Sequence, residues 1–305
     1  MVVDPLSIFL QTDAWASHSG GTRDETGNIF VKQSLPAGGS YWIASRCHIP
    51  ENWSLPSFAQ KSWFLRMQAD SQESYDNILK NTTSYKHRQG IAVQPQQTIV
   101  IDLKKSDEEL LADMKQKHRY NIKVAEKNNV MTEFHHDNLM TVFPRFWALL
   151  NTTAERHDFH THTESHYRSI ITNLGSTKNV MLAFATHEGK DVAAFMIINQ
   201  DGVGTYLHGG SNYDERNLMA PYLLHWKTMQ ELRKYDVTLY DLWGVHVQNG
   251  KEIANHPSAG TTRFKLGFGG TLVEYPPSID IILNPFCYTV YTSIQRFRSR
   301  KRAFA

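Results

Sequence analysis

Lys265 lies between Phe264 and Phe268, in the run Thr262–Gly270 that follows a glycine-bearing loop at 244–260. Aromatic neighbours can exclude water from an ammonium group, and a desolvated cation stabilises negative charge that develops during a reaction. The same pattern is also typical of a lysine on an edge strand that precedes a glycine turn. Lys265 is therefore a candidate catalytic residue, and the edge-strand interpretation stays open beside it.

A second group of reactive side chains is a cluster of histidines within 157–166. Imidazole and carboxylate groups are common ligands of transition metals. The HExxH arrangement is absent and neither cysteine joins the cluster, so a substrate-facing, hydrogen-bonding loop is favoured over a zinc site. The members are His157, His160, His162 and His166, with Asp158 and Glu164 nearby. If the segment is helical, the third and fourth of these histidines share one face.

A third group is a run of cations on a long helix predicted over 106–129, directly after a predicted strand at 98–103. Ser106 and Glu109 have the spacing of a capping box. An apolar stripe is formed by Leu111, Met114, Ile122 and Ala125, and a basic face by Lys115, Arg119, Lys123 and Lys127. Like charges at this spacing repel by roughly 0.2–0.5 kcal/mol per pair. A bound polyanion would offset that repulsion; a solvated surface helix is the alternative.

The turn Arg216–Pro221 connects a predicted strand to a predicted helix. In acetyl-CoA enzymes of the N-acetyltransferase type, this connection holds glycines, which let backbone amides meet a pyrophosphate at the helix N-terminus. Met219 stands where the first of these glycines would be. Acetyl-CoA binding is therefore disfavoured, though not excluded.

The C-terminal run Arg296–Arg302 is strongly basic. Such a cluster can contact RNA phosphates or anionic lipid headgroups. A solvated terminus is an equally good interpretation.

The composition limits the class of protein. The chain has 305 residues, enough for two domains, and a formal net charge of +2, too small for a generic nucleic-acid binder, so any polyanion site is local. With only Cys47 and Cys287, a disulfide framework is not expected. We find no signal peptide and no apolar window near the roughly 20 residues of a membrane span. A soluble, cytoplasmic protein is expected, with possible contact at the inner face of the membrane.

Periodicity predicts an α+β protein. Strands are predicted at 28–33, 41–45 and 63–67, a short helix at 74–81, and a linker at 94–97. The second half begins with the strand and basic helix described above. It continues with an amphipathic helix near 139–150, an antiparallel meander at 179–186, 191–198 and 203–209, a helix at 216–234 and a strand at 237–242. This order resembles the fold of the GNAT-type N-acetyltransferases.

Taken in order, several short motifs resemble the Fem-type aminoacyltransferases that build peptidoglycan bridges, and they span nearly the whole chain. They are Gln11–Trp15, Ile101–Leu103 through Arg119–Glu126, Glu155–Phe159, Leu218–Tyr222 with Trp226, Tyr240–Gly244, Arg263–Gly270, and Leu283–Pro285 with Tyr288. The chain has no room for the coiled-coil arm of larger members, so it is similar to the compact ones.

The resemblance implies two tandem acyltransferase-like domains, with the C-terminal segment returning to the first. We expect residues 1–97 plus 278–305 to form the first domain, on the precursor side. Residues 98–277 would form the second, with the catalytic lysine and the aminoacyl-tRNA. The implied reaction moves an amino acid from aminoacyl-tRNA to an amine of a peptidoglycan-precursor stem peptide, which is lipid-linked or UDP-linked. Because the donor is an activated ester, no cofactor and no metal are expected.

The resemblance also assigns roles to single residues. Lys265 matches the family's catalytic lysine and would stabilise the oxyanion, Phe264 would orient it, and Tyr206 matches a site tyrosine. The other candidate substrate-binding residues are His162, Arg156, Asp241 and Trp15. As a hypothesis separate from the family pattern, Arg216 and the basic face of Lys115, Arg119, Lys123 and Lys127 are candidates for binding phosphates of the tRNA acceptor stem. Two positions depart from the family pattern: Ala16–Ser19 replaces a precursor-binding lysine after the early tryptophan, and His162 replaces an arginine. We therefore expect different contacts to the acceptor's phosphates. An acetyl-CoA-type acyltransferase and a non-catalytic binding module remain alternatives.

Overall fold

The computed structural model describes residues 9–35, 38–157, 161–175 and 179–303, and their side chains except those of 157 and 297–303. The chain divides into two compact units. Unit A consists of Gln97–Glu274 with Phe9, and unit B consists of Leu10–Gln96 with residues 275–303. Each unit contains one mixed β-sheet with helices packed against it.

The strands and helices of unit B come from the first third of the chain and from residues 275–303. The helices are α1 (Asp13–Ser19), α2 (Gln72–Asn81) and α9 (Pro285–Ala303). The strands are β1 (Gly21–Arg23), β2 (Ile29–Ser34), β3 (Ser40–Cys47), β4 (Phe64–Ala69), β5 (Lys86–Gln89) and β15 (Ile279–Ile282). The predicted strands at 28–33, 41–45 and 63–67 and the helix at 74–81 are confirmed within two residues.

The sheet of unit B has the order β1-β2-β3-β4-β15-β5, with only β3 and β4 parallel among its neighbours. The last strand of the chain therefore lies between two strands from its first third. Buried apolar residues on one side pack with Ile78 of α2. On the other side Phe64 and Ile282 pack with Tyr288 and Tyr291 of α9.

Unit A begins with β6 (Gln97–Asp102), α3 (Asp107–Asp113), α4 (Gln116–Lys127) and β7 (Met131–His135). Next come α5 (Leu139–His157), α6 (Glu164–Leu174), and the meander β8 (Val180–His187), β9 (Lys190–Gln200) and β10 (Val203–Ser211). The remaining elements are α7 (Ala220–Arg233), β11 (Leu239–Gly244), β12 (Val247–Gln248), β13 (Lys251–Glu252), α8 (Ala259–Leu266) and β14 (Thr271–Glu274). The predicted meander is confirmed.

The sheet of unit A has the order β14-β6-β11-β10-β9-β8-β7, and β10 and β11 are its parallel pair. Alternate residues of β8 and β9, such as Met181 and Phe195, share one core with α4 and α7. The intervening residues are equally buried, and Phe184 among them stacks with Arg145 of α5. Because both faces are covered, these strands are apolar throughout rather than alternating.

The prediction of one long helix over 106–129 is wrong, because this segment forms two helices, α3 and α4. Ser106 and Glu109 do form the capping box that starts α3. The helix then ends at Met114, whose ψ is 145°, and α4 begins after Lys115, whose ψ is 143°. The backbone amide of Lys115 donates to the carbonyl of Gly267 instead of continuing the helix. A tertiary hydrogen bond thus replaces a helical one, which periodicity alone does not reveal.

Candidate functional site

The parallel strands β10 and β11 separate part-way along unit A. Their pairing runs from Val203↔Leu239 to Thr205↔Asp241, after which β10 stays with β9 and β11 stays with β6. Both strands are irregular just past this point, β10 between Tyr206 and His208 and β11 between Asp241 and Gly244. Bulges re-aim side chains and are common beside active sites. Tyr206 and Gly244 therefore flank an opening in the sheet.

Lys265 reaches this region from α8. The residue is only 6% exposed, its Nζ donates to the carbonyl oxygen of Gly244 at 2.9 Å, and the same atom lies 5.5 Å from the centre of the Tyr206 ring. The edge-strand interpretation of Lys265 is wrong, since the residue is on the last turn of a helix. The structure thus brings Lys265 and Tyr206 together.

Burial lowers the pKa of Lys265 from 10.5 to about 8, and the nearby carboxylate of Asp241 acts in the opposite direction. Desolvation penalises the charged form because water no longer solvates the ammonium. Near neutral pH the group still carries its proton, although more weakly than a surface lysine. A buried cation with few competing anions is suited to stabilising a developing oxyanion.

Asp241 holds the turn that leads to Gly244. Its buried carboxylate accepts hydrogen bonds from the hydroxyl of Thr98 and, at 2.7 Å, from the backbone amide of Trp243. Trp243 has a left-handed φ of 61°, an uncommon conformation for a residue with a large side chain. The carboxylate holds this turn, and the turn presents the Gly244 carbonyl to Lys265.

Two histidines, the half-buried His208 and the fully buried His225, lie close to Lys265, and the sequence does not single them out. Burial, with smaller contributions from Lys265 and from neighbouring histidines, lowers the pKa of His208 to about 3 and that of His225 well below 6.5. Both rings are therefore neutral at pH 7. Nδ1 of His225 is 2.9 Å from the hydroxyl of Tyr240, while its buried Nε2 has no hydrogen-bond partner among the described residues. The sequence of α7 shows no motif or spacing that marks His225 as a functional residue.

Phe264 belongs to an aromatic cluster beneath the site. Its ring contacts Tyr222 edge-on at 4.9 Å between centroids, and its backbone carbonyl lies 2.8 Å from Nε2 of His118 on α4. His118 itself packs against Gly267, where an added Cβ would come within 1.8 Å of the imidazole. The position after α8 therefore admits only glycine without rearrangement, and α8 is held firmly against α4.

Arg156 and Arg216 meet on a single tyrosine. The guanidinium carbons lie 4.8 Å and 4.4 Å from the ring centre of Tyr213, which is 51% exposed. Each guanidinium also donates to a backbone carbonyl, that of Ser211 or of Tyr213. Two exposed guanidinium groups on one ring make a compact positive patch suited to phosphate or carboxylate groups.

His162 and His166 stack with 4.1 Å between ring centres, and the ring of His162 lies 6.1 Å from that of His208. His162 precedes the helix cap Thr163, so the pair does not share a helical face as the spacing suggested. Within the residues that the structure describes, no three His, Cys, Asp or Glu side chains are arranged to hold a metal ion. Asp158 and His160 of the histidine cluster, and the side chain of His157, lie outside those residues.

The predicted basic face of 106–129 is only partly formed. Lys123 and Lys127 are exposed on α4, but Lys115 precedes the helix instead of belonging to it. Arg119 turns back and donates to the carbonyls of Leu111, at 3.1 Å, and Met114. The Arg119 guanidinium therefore caps the C-terminal end of α3. The prediction of four equivalent cations on one face is wrong, and three exposed lysines remain: Lys115, Lys123 and Lys127.

Trp15 lies in unit B, half-buried on α1, with its ring 4.8 Å from that of His18. The hydroxyl of Thr12 caps this helix by accepting from the Trp15 amide. Within the described part of the chain, no helix has both the length and the apolar character required to cross a bilayer.

Comparison with known proteins gives a consistent family. A model described as the FemAB family matches residues 68–190 and 184–296. Aminoacyltransferase FemA of Staphylococcus aureus (strain MW2) is 26% identical over 108 residues, which are 35% of this chain and 25% of FemA. FemA from the COL strain matches equally well. The matched segment thus spans about a quarter of the length of these curated relatives.

Solved structures share the fold along most of the chain. The crystal structure of FemX superimposes with a TM-score of 0.73 at 17% identity, covering 93% of this chain and 94% of that one. The structure of L-PGS from Bacillus licheniformis gives a TM-score of 0.58 at 11% identity, covering 92% and 90%. The predicted fold class, an α+β protein with two tandem acyltransferase-like domains, is confirmed.

Proposed function

Because this chain belongs to the FemAB family, we propose that it is an aminoacyltransferase of peptidoglycan-bridge synthesis. The donor is an aminoacyl-tRNA, and the acceptor is an amine on the stem peptide of a peptidoglycan precursor. The observation that carries this proposal is the buried ammonium of Lys265, held by the Gly244 carbonyl beside Tyr206 where two strands separate.

The reaction needs little beyond positioning and charge stabilisation. The neutral acceptor amine attacks the ester carbonyl, and a tetrahedral oxyanion forms. As the oxyanion collapses, the bond to the tRNA ribose oxygen breaks, an amide forms, and the proton from the amine passes to the departing ribose oxygen. The ester is already activated, so the proposal includes no nucleotide or metal cofactor. Lys265 stabilises the oxyanion, and Tyr206 and Phe264 shape its surroundings.

Asp241 is assigned a positioning role in this scheme rather than that of a general base. Its carboxylate accepts hydrogen bonds from Thr98 and from the Trp243 amide, and these contacts hold the turn that carries Gly244. Its negative charge also favours the protonated form of Lys265. The ribose hydroxyl of the tRNA itself remains the proposed route for the proton.

The substrate contacts follow from charge. The patch formed by Arg156, Tyr213 and Arg216 is proposed to bind phosphate groups of either substrate, and Lys115, Lys123 and Lys127 to bind tRNA phosphates. His162 would contact the precursor. We propose that residues 98–277 serve the donor, and that 1–97 plus 278–305, with Trp15, serve the precursor. Because charged tRNA is made in the cytoplasm, we place the reaction there.

The test is a transfer assay with a panel of charged tRNAs and with both lipid-linked and UDP-linked precursors, read by product mass. A mass increase of one aminoacyl residue on the precursor, abolished by Lys265→Met, is the expected result. Lys251→Met is the matched control, because Lys251 is an exposed lysine on β13. Salt-sensitive binding of either substrate without any product would favour a binding module and overturn the proposal.

Acetyl-CoA transfer is a second candidate because of the geometry at Met219. This residue has a left-handed φ of 55° at the N-terminus of α7, and its half-buried side chain packs on the core of unit A. The turn therefore has the conformation expected of a glycine despite its sequence, which weakens the steric argument against a bound pyrophosphate. Thermal stabilisation by CoA, with none by tRNA, would favour this candidate.

A further inference from the structure

Three exposed apolar side chains form a line on α9 in unit B. Phe286 is 78% exposed, Val290 is 39% exposed and Ile294 is 42% exposed. Their spacing of four residues places them on one face, opposite Tyr288 and Tyr291, which pack against the sheet. Single exposed apolar residues need no explanation, but a continuous stripe on a helix indicates an interaction surface.

The charge of the chain is concentrated at the end of the same helix. In sequence, α9 contains no Asp or Glu and five cations, Arg296, Arg298, Arg300, Lys301 and Arg302, whereas the whole chain has a net charge of +2. The first of these cations is exposed. A helix with an apolar face and a basic end is typical of segments that lie in the interface of an anionic membrane.

A cleft of about 560 Å³ runs between α9 and the edge strand β5. Its lining includes the exposed cations Lys86 and Arg88 from β5 and Arg296 from α9. Ile91, which is 61% exposed, lies at the same cleft. Cations therefore surround a space beside the apolar stripe, as a phosphate headgroup requires when acyl chains lie next to it.

We propose that unit B binds the surface of an anionic lipid bilayer through α9. Phe286, Val290 and Ile294 enter the boundary between headgroups and acyl chains, and the cations of the cleft contact lipid phosphates. An RNA would use the cations and could stack a base on Phe286, but it would gain little from the aliphatic Val290 and Ile294, so the stripe as a whole favours lipid. The binding is independent of the transfer reaction and needs no catalytic residue.

Flotation with vesicles tests this surface in the full chain. The wild type is expected to float with phosphatidylglycerol–phosphatidylcholine vesicles and not with phosphatidylcholine alone, and binding is expected to fall with added salt. Phe286→Ser with Ile294→Ser should weaken binding by about tenfold or more. Lys86→Glu with Arg88→Glu should have a similar effect. Controls in unit A are Met131→Ser, at a 67% exposed methionine, and Lys123→Glu with Lys127→Glu.

A spectroscopic readout separates insertion from a merely electrostatic contact. In Phe286→Trp, tryptophan emission should shift to the blue on addition of anionic vesicles, whereas Met131→Trp should show no shift. Absence of flotation by the wild type would overturn the proposal. So would equal losses in the control variants, or an effect of the α9 substitutions on binding of total tRNA but not of vesicles.

Discussion

Two opposing effects act on the protonation of Lys265. Burial favours loss of its proton, while the Gly244 carbonyl at 2.9 Å and the carboxylate of Asp241 favour retention. The resulting pKa of about 8 leaves the lysine charged at neutral pH and poorly solvated. Such a group interacts strongly with an oxyanion because little water must be displaced when the charge develops. Burying the ammonium of Lys265 therefore lowers the stability of the folded protein.

That cost has a defined pH dependence. Below pH 8 both folded and unfolded chains hold the proton, and the penalty of burying the ammonium is fully present. Between about pH 8 and 10.5 the unfolded chain binds more protons than the folded one, so stability rises with pH. We expect Lys265→Met to be more stable than the wild type at pH 7, and this advantage to shrink as pH rises toward 10. Thermal unfolding across that range measures it; a constant difference would contradict the assignment.

The elements that position the lysine depend on close backbone contacts. The amide of Lys115 donates to the Gly267 carbonyl, Nε2–H of His118 donates to the Phe264 carbonyl, and the same ring leaves no space for a side chain at Gly267. These contacts hold the N-terminus of α4 against the C-terminus of α8. The break between α3 and α4 is required by this contact.

Gly260 within α8 and Gly267 directly after it give opposite predictions for the same substitution. Gly267→Ala would place a Cβ 1.8 Å from the His118 ring, and we expect destabilisation of about 1–3 kcal/mol from overpacking. Gly260→Ala meets nothing within 4 Å, so it should be neutral or stabilise by roughly 0.5–1 kcal/mol through helix propensity. Urea denaturation of the two variants measures both signs. Equal effects would contradict the packing described for α8.

Sequence predicted the elements better than the contacts between them. The meander and the strands of unit B follow from apolar runs with turn residues between them, which are local signals. The helix break at Met114, the pairing of Arg156 with Arg216 on Tyr213, and the neutral His208 and His225 all arise from contacts between distant segments. Lys265 was identified by its aromatic neighbours and by resemblance, yet its place on a helix was missed, because Thr262–Leu266 is too short for a clear helical period.

At the scale of the whole molecule, the segment 275–303 returns to complete unit B. β15 lies between β4 and β5, and Asp280 on it accepts hydrogen bonds from Arg66 at 2.8 Å and from the hydroxyl of Tyr288 at 2.9 Å. Arg66 and Asp280 are both buried, at 5% and 1% exposure. This ion pair therefore secures the last strand of the chain within the sheet.

Removal of one partner should affect unit B selectively. Asp280→Ala leaves the Arg66 charge buried and unpaired, and we expect a loss of about 3–5 kcal/mol in that unit. Hydrogen exchange read by mass spectrometry should show lost protection in β4 and β15 and unchanged protection in β8 and β9. Glu51→Gln, which removes the exposed pair with Lys80, should leave both regions unchanged. Uniform loss across both units would contradict their description as separate compact bodies.

The central claim is that a buried ammonium at position 265 stabilises the oxyanion of aminoacyl transfer. The most direct test is the single-turnover rate of amide formation from aminoacyl-tRNA, measured against pH for the wild type, Lys265→Met and Lys251→Met. We expect the first variant to lose roughly 10²–10³-fold in rate while remaining folded, and the second to match the wild type. Because the reaction depends on the protonated lysine, the wild-type rate should fall as pH passes about 8 and Lys265 loses its proton. A Lys265→Met enzyme that turns over as fast as the wild type would contradict the account.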